Sequence, residues 1–446
     1  MKNINNPLRK LYIVHCVDTE GPLYESLEET FIRLNDIYGI DLEPTNDNLL
    51  KIQNQEIDFG GKEVSVAKAF NKHLINYNDN WKKIDSMLAN IMSYDYRNKF
   101  LDSLGNGIIY NWHCLDHVGY ETNIRKKEIG YGKIFNHYRQ KIKEHDSPDK
   151  IYWHFHPAAY SKAGHLSSTS YDNSYYKLHQ ILSRRVIDCK WFPVVNRAGF
   201  HAIRQDSSFF LEQWIPFDYS NQSLLASSNE KITRVGYGIW NRAPKEWIPY
   251  HPSYTDYQLP GNMNRLTTKC LNIGTRESLL DDREIEFAFH NAQEYGSAIL
   301  SFTNHDFRDM SIDIDNIYNR IHSISSKYKD VEIINSDAKH AMQKVLFNDI
   351  EIVKNKIELK SKVVLENGFQ KLIVWVESGR VFGSQPYLAI KTTSGEYYHD
   401  NLYERKVDFS WEYVFDSSSI EIESIDKIGI ASNDKFGNQS ISYPIY

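Results

Sequence analysis

Cysteine is scarce: four residues in a chain of 446, Cys16, Cys114, Cys189 and Cys270. They lie far apart and form no CxxC pair, which argues against a disulfide framework. They read as reduced core residues of a cytosolic protein. Long apolar runs are missing as well. No stretch approaches the roughly 18 apolar residues of a membrane span. Lys2, Arg9 and Lys10 precede only the short run Leu11 to Val17, which contains His15 and lacks a small-residue cleavage site. A strand is therefore expected there rather than a signal peptide, with the protein in the cytoplasm. An excess of positive charge is also absent. Lys plus Arg number 52 against 58 Asp plus Glu, a net charge of −6. No basic field points to nucleic acid or to an anionic membrane. What is plentiful is aromatic: 30 Tyr, 21 Phe and 9 Trp. Such rings suit sugar-stacking surfaces, although most serve a core. The length is enough for two or three domains.

Strands alternate with helices along most of the chain. Residues 11–17 read as a buried strand, and 23–105 as mostly helical, with Leu27, Phe31, Leu34 and Tyr38, then Ile84, Leu88 and Ile91, at helical spacing. Gly105-Asn106-Gly107 breaks that region before a strand at Ile108 to Trp112. Further strands are predicted at Ile151 to His156, Trp191 to Val195 and Ala298 to Thr303, with a helix over Ile134 to Ile142. Helices with Ile317, Ile321, Ile324 and Tyr328, then Ala338, Ala341, Met342 and Val345, come next. This alternation implies a parallel α/β architecture, whose active sites gather at the C-terminal ends of strands. After about residue 350 the pattern turns strictly alternating, as in Lys356 to Lys360 and Ile420 to Glu423, with turns at Asn367-Gly368 and Ser394-Gly395. That tail reads as a separate antiparallel β-sandwich.

The predicted strand ends carry the chemistry. In Val17-Asp18-Thr19-Glu20-Gly21-Pro22 the two carboxylates share a face, because side chains on a strand alternate. They can hold a metal or divide the work of base and ligand; a polar strand end, with Asp18 capping the next segment, explains them equally well. In Tyr152-Trp153-His154-Phe155-His156-Pro157 the histidines also share a face and can ligate one ion. Two histidines with one carboxylate leave coordination positions open, as at a catalytic zinc or similar site. Arg197, at a strand end before a flexible glycine, Gly199, can orient a carboxylate through a bidentate pair, or lie on the surface. His305, in Thr303-Asn304-His305-Asp306, suits a general acid, with Asp306 either orienting it or capping the next loop. His113 and His117 form a competing pair. Asp116, His117, Trp240, Trp247 and His251 are candidate cleft residues, with a structural role the alternative for each.

In their order, these motifs resemble the polysaccharide deacetylase (NodB-homology) family across about residues 10–345. Val17 to Glu20 looks like its first motif, Trp153 to Pro157 its second, Asn196 to Phe200 its third, the segment with Asp218 the next, and Ser301 to Phe307 its last. Departures are plain: one residue rather than three separates the histidines, Ala158 stands at the usual second position, and Glu20 replaces an Asp. The resemblance implies a distorted (β/α) barrel over residues 1–348; the helical insertion at about 23–105 departs from the family, and the resemblance leaves out the tail, 349–446, which keeps its reading as a β-sandwich. It implies a divalent metal, zinc first with cobalt or manganese as alternatives, held by Glu20, His154 and His156. Asp18 would act as base, Arg197 would hold it, and His305 would protonate the leaving amine; Asp116, His117, Trp240 and His251 would line the substrate cleft. The expected activity is N-deacetylation of an acetamido sugar, in a surface-polysaccharide precursor such as an O-antigen or capsule unit. Two rivals stand beside it: an inactive glycan-binding protein on the same barrel, and a metal-dependent hydrolase of another amide or ester. The oligomeric state is not legible in the sequence.

Overall fold

The computed structural model describes residues 9–117, 132–157, 171–225, 238–276 and 280–444. Eight parallel strands form a nearly closed barrel: β1 (Arg9–Thr19), β2 (Tyr110–His117), β3 (Lys150–His156), β4 (Val195–Ala198), β5 (Phe217–Asn221), β6 (Leu266–Lys269), β7 (Leu271–Asn272) and β8 (Ser297–His305). Their spatial order is β6-β5-β4-β3-β2-β1-β8-β7. Only Cys270 separates β6, which pairs with β5, from β7, which pairs with β8, so residues 266–272 bring the two edges of the sheet together. A ninth strand, β9 (Val331–Asn335), pairs with the N-terminal half of β1, while β2 takes its C-terminal half.

Alternation along β1 separates two cores. Tyr12, Val14 and Cys16 pack with Tyr152, Val195, Phe217, Tyr219 and Ile299 in the barrel interior. Leu11, Ile13 and Val17 pack outward, against the helices. Those helices are α1 (Leu27–Tyr38), α2 (Asn46–Gln53), α3 (Glu63–Ala69), α4 (Lys72–Ile75), α5 (Trp81–Ile91), α6 (Tyr94–Arg97), α7 (Lys133–Glu144), α8 (Tyr175–Cys189), α9 (Gln205–Trp214), α10 (Asp282–Tyr295), α11 (Ser311–Ser325), α12 (Ala338–Leu346) and α13 (Asp349–Lys354). Local signals set their ends. Ser26 and Glu29 form a reciprocal capping box at the start of α1, and left-handed Gly39 ends it. The helical region between β1 and β2 has two parts. Residues from α1 to α3 enclose a small core of Phe31, Leu34, Ile52, Val66 and Phe70. Ile84, Leu88 and Ile91 of α5 instead join the outer barrel core, so α5 serves as the β1–β2 crossover helix.

The tail forms β10 (Glu358–Glu366), β11 (Phe369–Ser378), β12 (Tyr387–Thr392), β13 (Tyr397–Asp400), β14 (Tyr403–Lys406), β15 (Ser410–Phe415), β16 (Ile425–Asn433) and β17 (Gln439–Ser442). They make two antiparallel sheets, β10-β11-β15-β14 and β13-β12-β16-β17. Leu388, Ile390 and Ile430 face the other sheet, while Tyr387, Ala389 and Ala431 pack on α8 residues Leu178 and Val186. Burial on both faces explains why Tyr387 to Ile390 reads as an unbroken apolar run.

Some expectations are corrected. The fourth strand starts at Val195, not Trp191, because Pro193 has no N–H to give a ladder. α11 ends at Ser325, and Tyr328 stacks on Phe289 from beyond it. Ile420 to Glu423 is no strand: a 3₁₀ turn at Ile422–Ser424 carries the chain from one sheet to the other, and Ile420 and Ile422 pack at the sandwich margin. Among the described residues, no helix is long and apolar enough to cross a membrane.

Candidate metal centre and active site

Register places the chemical residues side by side. Asp18 on β1 is the direct partner of His305 on β8 and of His113 on β2, and His154 on β3 is the partner of Arg197 on β4. Asp18 and Arg197 are both sealed from solvent. They meet in two parallel bonds: Arg197 Nε donates to Asp18 Oδ1 at 2.7 Å and Nη2 to Oδ2 at 2.8 Å. Arg197 Nη1 also donates to the Tyr219 carbonyl at 2.8 Å. Burial alone would raise the Asp18 pKa, but Arg197, His154 and His305 together hold it well below the usual carboxylate range.

Glu20, His154 and His156 each present a ligand atom within 4.8 Å of the others, the one such trio among the described residues. His154 Nδ1 lies 2.9 Å from the Arg197 carbonyl oxygen, which accepts its proton and leaves Nε2 as a lone pair. A backbone carbonyl behind an imidazole is the usual support of a metal-ligating histidine. His154 Nε2 and His156 Nε2 face each other at 2.9 Å. Two lone pairs repel at that distance, so a proton or a cation must lie between them. Two nitrogens on one tetrahedral zinc lie about 3.3 Å apart, given Zn–N of about 2.0–2.1 Å. A movement of a few tenths of an ångström thus fits the two imidazoles to an ion, and the mixed His₂Glu set has the donor chemistry of a catalytic rather than a structural zinc.

Asp306 does not orient His305. Its carboxylate accepts from the backbone N–H of Glu20 at 2.8 Å and of Gly21 at 3.0 Å, and from the Tyr138 hydroxyl at 2.7 Å. It therefore fixes the turn that carries Glu20, where Gly21 takes a φ of 72° open to glycine. Burial pushes the Asp306 carboxyl up to about 7, against those bonds. His305 turns Nε2 toward Asp18 Oδ2 at 3.8 Å and Glu20 Oε1 at 3.9 Å, and its Nδ1 is buried with no hydrogen-bond partner among the described residues. Burial lowers its pKa, although both carboxylates pull the other way, so the ring is neutral at neutral pH.

After Arg197 the chain makes a sharp turn in which Phe200 and His201 both have left-handed φ, 53° and 52°. Two such residues in a row are strained, and the strain sits at the site. His201 Nδ1 comes within 3.2 Å of Arg197 Nη2. Gly199 is not a hinge. A Cβ there would stand 2.7 Å from Cδ2 and 2.9 Å from Nε2 of His156, so glycine is required for the ring to lie against the backbone. Gly199→Ala is expected to displace His156 and weaken metal binding about 10- to 100-fold, the scale of losses around metal ligands. Competition against a chelator reads this; unchanged affinity would refute it.

The cleft residues expected from sequence fare differently. Asp116 is one place from the inward positions of β2 and faces outward, where Arg185 and Trp153 Nε1 hold it in the core. It lines no cleft. His117 ends β2, and its side chain is outside the described residues, as is Ala158. Trp240 is buried and donates to the His201 carbonyl at 2.8 Å, supporting the turn from behind. Trp247 is fully buried, with Lys269 Nζ 4.7 Å above its ring. His251 is exposed and bonds the carbonyl of Arg265, before β6 begins, at the end of the barrel opposite the site. Asp218 also faces outward, bonded to Asn196 and Ser220. His113, half of the competing pair, is buried beside Asp18, with burial lowering its pKa to about 3, and lies outside the ligand trio; His201 is the residue that was missed. The strand period that flags Asp18 and His154 also flags His113; nothing local flags His201. No family model, no curated protein and no solved structure matches this chain.

Proposed function

We propose that this chain is a metal-dependent hydrolase of the polysaccharide-deacetylase kind that removes the acetyl group of an acetamido sugar. The convergence of Glu20, His154 and His156 beside an Arg-held Asp18 supports this reading most directly. Those three residues would hold one divalent cation, zinc by donor chemistry, with cobalt or manganese as substitutes. When bound, the cation supplies Lewis acidity, bringing a water toward a pKa of about 7 and polarising the amide carbonyl.

The remaining steps belong to the chain. Asp18 receives the proton of the attacking water. Held ionised by Arg197, it is a weak base, and once protonated it is a strong acid. It therefore passes the proton on rather than keeping it. Neutral His305, with Nε2 3.8 Å from Asp18 Oδ2, is placed to take it and deliver it to the departing amine. Arg197 keeps the carboxylate plane fixed throughout. The test is acetate release from a panel of acetamido sugars. Release is expected to stop on chelation and return with zinc, cobalt or manganese. If the reconstituted protein binds no metal, the mechanism fails and a glycan-binding role takes its place.

A further inference from the structure

Arg308 is a buried cation that makes no direct ion pair among the described residues. It is 7% exposed. Its Nε donates to the Leu74 carbonyl at 2.8 Å and its Nη2 to the Tyr77 hydroxyl at 3.0 Å. The guanidinium lies 4.8 Å from the ring centres of both Tyr77 and Phe307. Among the described residues no carboxylate pairs with it, and Nη1 makes no hydrogen bond yet is not sealed from solvent. Arginine is rarely buried unless paired, and an uncompensated buried charge is strongly destabilising.

The acid within the same network is already engaged. Glu25 accepts two bonds from Arg276, one from the Tyr77 hydroxyl at 3.0 Å and one from the Thr30 hydroxyl at 2.9 Å. The side chains of Arg276 and Glu25 are 7% and 10% exposed. This hydrogen-bonded network thus holds two guanidiniums, Arg276 and Arg308, and one carboxylate, Glu25. Its position is on the ligand face. Glu25 comes after β1, Arg276 after β7 and Arg308 after β8, all in loops leaving the C-terminal ends of the strands. Phe307 lies 4.8 Å from the His305 ring and also touches Arg308, so one aromatic ring separates the open guanidinium from the candidate site.

We propose that Arg308, backed by Arg276, is a subsite for an oxyanion carried by the substrate, so that the acetamido sugar is an anionic one. The shared chemistry is that of a sugar carboxylate, as in a uronic acid, or of a sugar phosphate; either supplies the charge that a neutral sugar lacks. This specificity rests on the deacetylase reading, but the anion site itself can be tested without turnover.

Isothermal titration of the full chain with glucuronate and with glucose 1-phosphate separates the two sources. One of them is expected to bind, and Arg308→Gln to weaken it about 10- to 100-fold, the loss of a charge-assisted bond. Arg308→Lys keeps the charge without the planar fork and should fall between; it also stands in should the Gln variant fail to fold. No binding of either probe to the wild type, or equal binding to the variants, overturns the subsite. In parallel, the ratio of kcat/KM for anionic over neutral acetamido sugars should drop in Arg308→Gln. Anion binding without acetate release from any sugar would sink the deacetylase reading and keep the subsite. Acetate release with no anion binding would do the reverse.

Discussion

Arg197→Met is expected to lower the stability of the folded chain by about 3–5 kcal/mol, the cost of leaving one member of a buried ion pair without the other. The pair is fully enclosed, so water cannot replace Arg197. The variant also strips donors from the Tyr219 carbonyl and from His201 Nδ1. The pH dependence should change sign. In the wild type the Asp18 pKa is depressed below its unfolded value of about 3.9. The unfolded state then binds more protons in the acid range, so this group's stabilisation is complete above that value and is lost as pH falls through the folded pKa. Without Arg197, burial prevails and raises the Asp18 pKa. The native state then binds the extra proton, and stability falls as pH rises from about 4 to 7. Urea unfolding across that range reads both effects. Adding Asp18→Asn to Arg197→Met should recover much of the loss at pH 7, because the unpaired charge is gone. If the single variant is as stable as the wild type at pH 7, the pair does not anchor the barrel.

Much of the site was legible because two regularities coincide. Period-two alternation sends Asp18 and His154 to one face of their strands, and a parallel sheet collects the C-terminal ends of those strands at one mouth. The same alternation, applied strictly, separates Asp116 from His117, so both could not have lined the cleft. What stayed hidden depends on contacts between distant segments. Thr267, Thr268 and Lys269 of β6 look like surface residues, yet they are buried, with Lys269 meeting Glu284 at 2.6 Å. Trp240 and Trp247 look like sugar platforms until their neighbours are known. Gly199 reads as a flexible point in sequence, and only the ring of His156 above it explains the residue.

His154→Ala/His156→Ala should abolish metal binding and, with it, at least about a thousandfold of any acetate release. The two imidazoles are not interchangeable with solvent ligands. His154 is fixed by the bond from Nδ1 to the Arg197 carbonyl, and His156 is wedged against Gly199 and edge-on to Phe200, 5.0 Å between ring centres. Both nitrogens are thus held facing each other before any ion arrives, and the ordering cost of binding is already met by folding. Removing them leaves Glu20, which is partly exposed, as a lone carboxylate. The measurable consequences are two. Elemental analysis should fall from about one divalent ion per chain to a trace. Thermal unfolding of the wild type should shift upward with added zinc, since an ion at a hundred times its Kd adds about 2.7 kcal/mol to the native state, while the double variant should not shift at all. Asp18→Asn should retain the ion and lose turnover, because Asp18 lies outside the ligand trio. A double variant that still binds zinc in proportion to protein would place the ion elsewhere and undo the assignment of all three ligands.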